Sequence, residues 1–112
     1  MSVAGAQVVE TCRARDLIPA PDVTAAVAAA TLLADPTRAS ILRMLADSAC
    51  CVCEMAAALG VGESNVSNHL ARLRHAGLVR ASHNEANLRF TYYERDEAAI
   101  ATLRGALADV LQ

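Results

Sequence analysis

The sequence has no tryptophan and no lysine, and only one phenylalanine and two tyrosines among its 112 residues. So few rings exclude a core built on aromatic packing. The hydrophobic fraction is nonetheless 54%, so the core must come from Ala, Leu, Val and Ile, a palette that suits closely packed helices better than a β-sandwich. No apolar run reaches the roughly 18 residues that a membrane span needs. No basic stretch followed by a compact apolar block opens the chain, so no signal peptide is expected and the protein is assigned to the cytoplasm. There is no phosphate-binding glycine loop, no nucleophile–base–acid set at recognisable spacing, and only three histidines. An enzyme acting on a small organic substrate is therefore not expected; a Cys-x-Cys oxidoreductase is the best enzymatic rival.

What is present fits one small domain that would gain from partnering with a second copy of itself. The formal net charge of −2 argues against nucleic acid until its distribution is considered. Residues 64–93 carry Arg72, Arg74, Arg80 and Arg89 against the single acid Glu85, whereas Glu94, Asp96 and Glu97 follow close behind. That segment is locally basic, and arginine suits bidentate contacts to phosphates and bases.

Along the chain, residues 1–20 lack a helical period and end in the proline-containing stretch IPAPD, which predicts an N-terminal arm carrying Cys12. Asp22 is a candidate cap for a helix running to Leu33. In ADPTRASILRMLAD, Asp35 reads as an N-cap and Pro36 as the first helical residue, with Ile41, Leu42 and Leu45 at helical spacing. A short helix is predicted from about Cys51 to Leu59, stopped by Gly60. Another starts at Glu63 or Ser64 and ends at His75, with Gly77 beyond it. Within SNVSNHLARLRHAG, Val66, Leu70 and Leu73 form an inward stripe, leaving Ser64, Asn65, Asn68 and Arg72 for solvent. Short polar residues followed by Arg are what a helix needs to reach base edges and phosphates.

The period then changes from helical to alternating. Leu78–Ser82 and Leu88–Tyr93 read as two strands around the turn HNEA. A hairpin directly after a helix-turn-helix is a wing, whose tip would present His83, Asn84, Asn87 and Arg89 to the DNA backbone or minor groove. The chain closes on a helix with Ile100, Leu103, Leu107 and Val110 in a stripe, expected to pair with its copy in a second subunit. The predicted fold is therefore mainly α with a β-hairpin wing: an arm over residues 1–20 and a winged helix-turn-helix over residues 21–112, acting as a homodimer.

Three cysteines, Cys50, Cys51 and Cys53, crowd the predicted start of the short helix. Reduced thiols clustered in this way suggest metal or redox chemistry. A Cys-x-Cys pair can bring both sulfurs to one soft ion, and a helix N-terminus is expected to lower the thiol pKa. Buried packing cysteines, a redox or persulfide switch using Cys12 with Cys51 or Cys53, and a structural zinc remain open on the residues alone.

LADPTRASILRML, CVCEMAAALGVGESNVSNHLARLRHAGLV and RFTYYE together resemble the ArsR/SmtB repressors, homodimeric metal-sensing winged-helix proteins. The likeness runs from residue 31 to about 111, with several blocks in the right order. It implies a dimer built on the first and last helices, bound in the apo state to a two-fold symmetric double-stranded operator and released by metal. It implies Ser64, Asn65, Ser67, Asn68, His69 and Arg72 on bases and phosphates, with Asn87 and Arg89 in the wing. CVC matches the family's thiolate site, so Cys51 and Cys53 carry over as ligands. In the cadmium- and lead-sensing branch, which this chain most resembles, an arm cysteine of the other subunit completes the site. Cys12 is the candidate here, and Cys50 is either a fourth ligand or a bystander. Cd(II) or Pb(II) is the expected effector, with As(III) or Zn(II) as alternatives. The arsenite-type spacing is broken by Ala56. The terminal-helix site of zinc and cobalt sensors keeps Asp96 but has no histidine after His83.

Overall fold

The computed structural model describes residues 18–82 and 90–112. Helix α1 spans Thr24–Leu33 and α2 Pro36–Leu45; strand β1 is Cys50–Cys51, followed by α3 at Val52–Leu59 and α4 at Glu63–His75. Strands β2 (Val79–Ser82) and β3 (Tyr92–Arg95) precede the terminal helix α5, Glu97–Leu111.

Local chemistry sets most of these boundaries. Asp35 caps α2, its Oδ1 accepting the backbone N–H groups of Thr37 at 2.8 Å and Arg38 at 3.1 Å, with Pro36 preset for the first turn. Gly60 ends α3 in the left-handed region at φ 66°, where a side chain would be strained. Asp96 caps α5 by accepting from Ala99 N–H at 3.0 Å. Asp22 bonds Thr24 N–H at 3.0 Å, but the residue at the cap of α1 is Val23, one later than expected.

The core gathers the inward stripes. Ile41, Leu42 and Leu45 of α2, Met55 of α3, and Val66, Leu70 and Leu73 of α4 meet Leu78, Val79 and Ile100. Ile41, Met55, Val66 and Leu73 lose all solvent contact, so removing such a side chain would cost about 2–5 kcal/mol. Helix α4 thus presents the expected stripe inward.

The sheet departs from expectation in two ways. Its three antiparallel strands run in the order β1-β3-β2, so the wing gains a third strand from the cysteine segment. Cys50 pairs with Tyr93 and Cys51 with Tyr92, while Val79 pairs with Arg95. Because β3 must serve both neighbours, it lies at Tyr92–Arg95 and runs two residues beyond the expected end at Tyr93; Phe90 and Thr91 stand before it, and Leu88 and Arg89 of the expected strand lie outside the described residues. For the same reason α3 begins at Val52, since Cys51 is held extended in the ladder and becomes its N-cap. The turn HNEA, with Asn87 and Arg89, lies outside the described residues, as does Cys12.

Helix α5 packs on α1. Its stripe is divided: Ile100 is buried in this chain's own core and Leu103 packs against that core, whereas Val110 is half exposed. Farther along, Leu107, Val110 and Leu111 line an apolar groove of about 420 Å³ with Val23, Ala26, Val27 and Ala30.

Candidate metal centre and nucleic-acid face

A strand alternates its side chains between two faces, and this decides which thiols meet. Cys50 belongs to the buried apolar core, its thiol donating to Ser48 O at 3.5 Å. Cys51 points the other way. One residue on, the chain turns into α3 and swings Cys53 back, so that Cys51 Sγ and Cys53 Sγ lie 3.0 Å apart. The structure therefore brings together two of the four sequence-derived thiols and sets Cys50 apart. Among the described residues, no cluster of three or more potential ligands forms.

The sulfur pair opens on a cleft of about 310 Å³ whose walls include Glu63 at the start of α4 and Phe90, Thr91 and Tyr93 at the base of the wing. Glu54 is tied to the pair through the backbone: its Oε1 accepts Cys51 N–H at 2.9 Å. A glutamate three residues after the N-cap is the spacing of a capping box, a signal legible in the sequence once Cys51 is recognised as the cap.

At Cys51 the expected low thiol pKa is reversed. Burial, the hydrogen bond with Cys53 and the Glu54 carboxylate push the Cys51 thiol up to about 11, against one favourable backbone hydrogen bond from Glu54. Burial and the charges of Glu54 and Asp47 raise Cys50 as well. The helix N-terminus is present, but desolvation and a neighbouring anion outweigh it. Two soft donors beside a carboxylate, opening onto a cleft, suit a soft cation that displaces protons.

On α4, Ser64, Asn65, Ser67, Asn68 and Arg72 are exposed on one face of the helix. His69 is not on that face. Its side chain is 16% exposed, with Nε2 3.7 Å from Asp35 Oδ1 and Nδ1 3.3 Å from Arg38 Nη1. Of the basic residues noted above, Arg74 lies over the Tyr93 ring at 5.7 Å. Arg80 is engaged by Glu94 at 2.8 Å and Asp96 at 3.3 Å. Asp96 is thereby occupied as a cap and an ion-pair partner, which leaves little for a terminal-helix metal site.

A helix-turn-helix formed by α3 and α4, followed by a short antiparallel wing, defines a winged helix-turn-helix protein. A family model described as "Bacterial regulatory protein, arsR family" matches residues 35–81. The HTH-type transcriptional regulator CmtR of Mycobacterium tuberculosis is 43% identical over 79 residues, covering 70% of this chain and 64% of CmtR. The chain thus matches just under two thirds of that relative's length. A putative arsenical resistance operon repressor, ArsR of Halobacterium salinarum, is 33% identical over 77% of this chain and 68% of its own. The crystal structure of AntR, an antimony-specific transcriptional repressor, superposes with a TM-score of 0.60 at 29% identity over 89% of both chains. The chain belongs to the arsR family of bacterial regulatory proteins. These relatives are named as transcriptional regulators, none as an enzyme. Among the described residues no helix is long and apolar enough to cross a membrane.

Proposed function

We propose that the protein is a metal-responsive transcriptional repressor of the cadmium- and lead-sensing type. It binds double-stranded operator DNA as an apo homodimer and is released when a soft ion, Cd(II) or Pb(II), binds at cysteine. The observation that carries this reading is the 3.0 Å approach of Cys51 and Cys53 at the start of α3. A turn of two residues, Val61 and Gly62, separates Gly60 at the end of α3 from α4, so a change at the thiols has a short path to the reading helix. A bound dication would hold both sulfurs as thiolates, with Cys12 from the partner's arm as third donor. Cys50, buried in the core, is assigned to packing. The reading face is Ser64, Asn65, Ser67, Asn68 and Arg72, with Asn87 and Arg89 in the wing. Effector and operator then oppose each other through two dimer states, each weakening the other's affinity by the same factor.

Arsenite or antimonite is the second reading, favoured by the extent of the match to AntR. The Glu54 charge, which disfavours thiolate at Cys51, argues for a cationic effector over neutral arsenous acid. A redox or persulfide switch is disfavoured by the high pKa of Cys51, because the thiolate is the nucleophile.

The test is an anaerobic cadmium titration of reduced protein, following sulfur-to-metal charge transfer in the ultraviolet, with Cys12→Ser and Cys53→Ser alongside. Saturation at one ion per subunit is expected, with reduced intensity in both variants and operator release at the same stoichiometry. No tight absorbance change in the intact protein would sink the cadmium reading.

A further inference from the structure

Arg38 sits where three helices meet. Its Nε donates to Leu32 O at 2.7 Å and its Nη2 to Thr31 O at 3.1 Å, two carbonyls in the last turn of α1, where the helix leaves acceptor capacity unused; Thr31 O also accepts the cap residue Ala34 N–H at 3.3 Å. Its third arm, Nη1, reaches His69 Nδ1 on α4 at 3.3 Å. A guanidinium can only donate, so Nδ1 must accept and the ring proton lies on Nε2, which faces Asp35 at 3.7 Å. Asp35 in turn caps α2. One planar side chain thus ties the end of α1 to the middle of α4, and a histidine spans from it to the start of α2.

Toward the end of α4 its approach to α1 opens out. An open groove of about 390 Å³ lies between Leu32 on α1 and Ala71, Arg72, His75 and Ala76 toward the end of α4. The fork geometry of arginine holds direction as well as distance. Neighbouring Asn68 and Arg72 are exposed, whereas His69 is turned inward.

We propose that Arg38 and His69 form a positioning joint that sets the orientation of the reading helix relative to α1, so that His69 governs DNA recognition through Arg38 and not by touching DNA. This rests on the operator-binding reading above. A residue of this kind differs from a base-contacting one in the pattern of its loss. Misorienting the helix weakens every base contact of a half-site together, whereas deleting a base contact relaxes one position.

The probe is a duplex selected from a random pool by the intact protein, compared with a scrambled duplex of the same length and with single base-pair substitutions. Variants are His69→Leu, His69→Asn and Arg38→Gln, each checked by thermal melting. His69→Leu and Arg38→Gln are expected to reduce discrimination between selected and scrambled duplexes by about tenfold, spread over the half-site. His69→Asn, which keeps an acceptor near the Nδ1 position, should recover most of it. Should Arg38→Gln fail to fold, the Leu and Asn pair carries the comparison. A loss confined to one base pair, or equal discrimination by His69→Leu and the intact protein, would overturn the joint. If the intact protein selects no sequence at all, it is the operator-binding reading that fails.

Discussion

Cys51 is placed so that chemistry at its sulfur is gated by protons. Its thiol is held near pKa 11 by burial, by Cys53 and by Glu54, so at neutral pH it is protonated and a metal must displace that proton. Each proton released makes the apparent affinity rise about tenfold per pH unit while the pH stays below the thiol pKa. Cadmium affinity, measured by competition with a chelator between pH 6 and 8, is therefore expected to climb steeply. Arsenous acid behaves differently, because three thiols condense with it to release water and no net proton. A steep slope for cadmium and a flat one for arsenite would separate the two chemistries at this site. A flat cadmium slope would mean that Cys51 is not a ligand. The same shift acts on the apo fold. A thiol whose folded pKa is raised contributes stability below its ordinary value of 9.0, and this is lost as pH rises through about 11.

At the scale of elements, the start of α2 carries more than one helix. Asp35 satisfies two orphan N–H groups, and accepting them lowers its pKa. Asp35→Ala removes the cap and the anion facing His69. A loss of about 1 kcal/mol is expected from the cap alone, read as a lower urea midpoint with an unchanged slope. A wild-type midpoint would show that the cap is redundant. Strand β1 shows another kind of economy. Two residues, paired through Tyr92 and Tyr93, turn one thiol toward the apolar core and the other toward Cys53 and its cleft, and hold the start of α3 extended.

For the molecule as a whole, the apolar groove between α1 and the end of α5 matters most. Val27 is 57% exposed, Val110 50% and Leu111 79%, and these residues lie along one apolar depression. A small chain with such a face gains from covering it, in keeping with the proposed dimer on the first and last helices. Val27→Glu places a charge there without disturbing this chain's own core. It is expected to shift sedimentation from dimer to monomer and to lower operator affinity in step. A variant that remains dimeric would place the interface elsewhere.

The local elements were largely legible in the sequence, because their signals act within a few residues. Asp35-Pro36 opened α2, Gly60 closed α3, and Val66, Leu70 and Leu73 marked the inward face of α4. The adjacency of Cys51 and Cys53 likewise follows from their spacing. What the tertiary structure decided depends on partners distant in the chain. The register of β3 follows from its need to pair with both β1 and β2, and no local period reports that. Cys50 and Cys51 are neighbours in sequence, yet strand pairing sends them to opposite faces, and burial beside Glu54 reverses the pKa that a helix N-terminus suggests. His69 shares the polar character of the residues around it in α4. Its inward partners, Arg38 and Asp35, lie more than 30 residues away in the chain, and contacts of that range are set by packing that residue type and spacing do not encode.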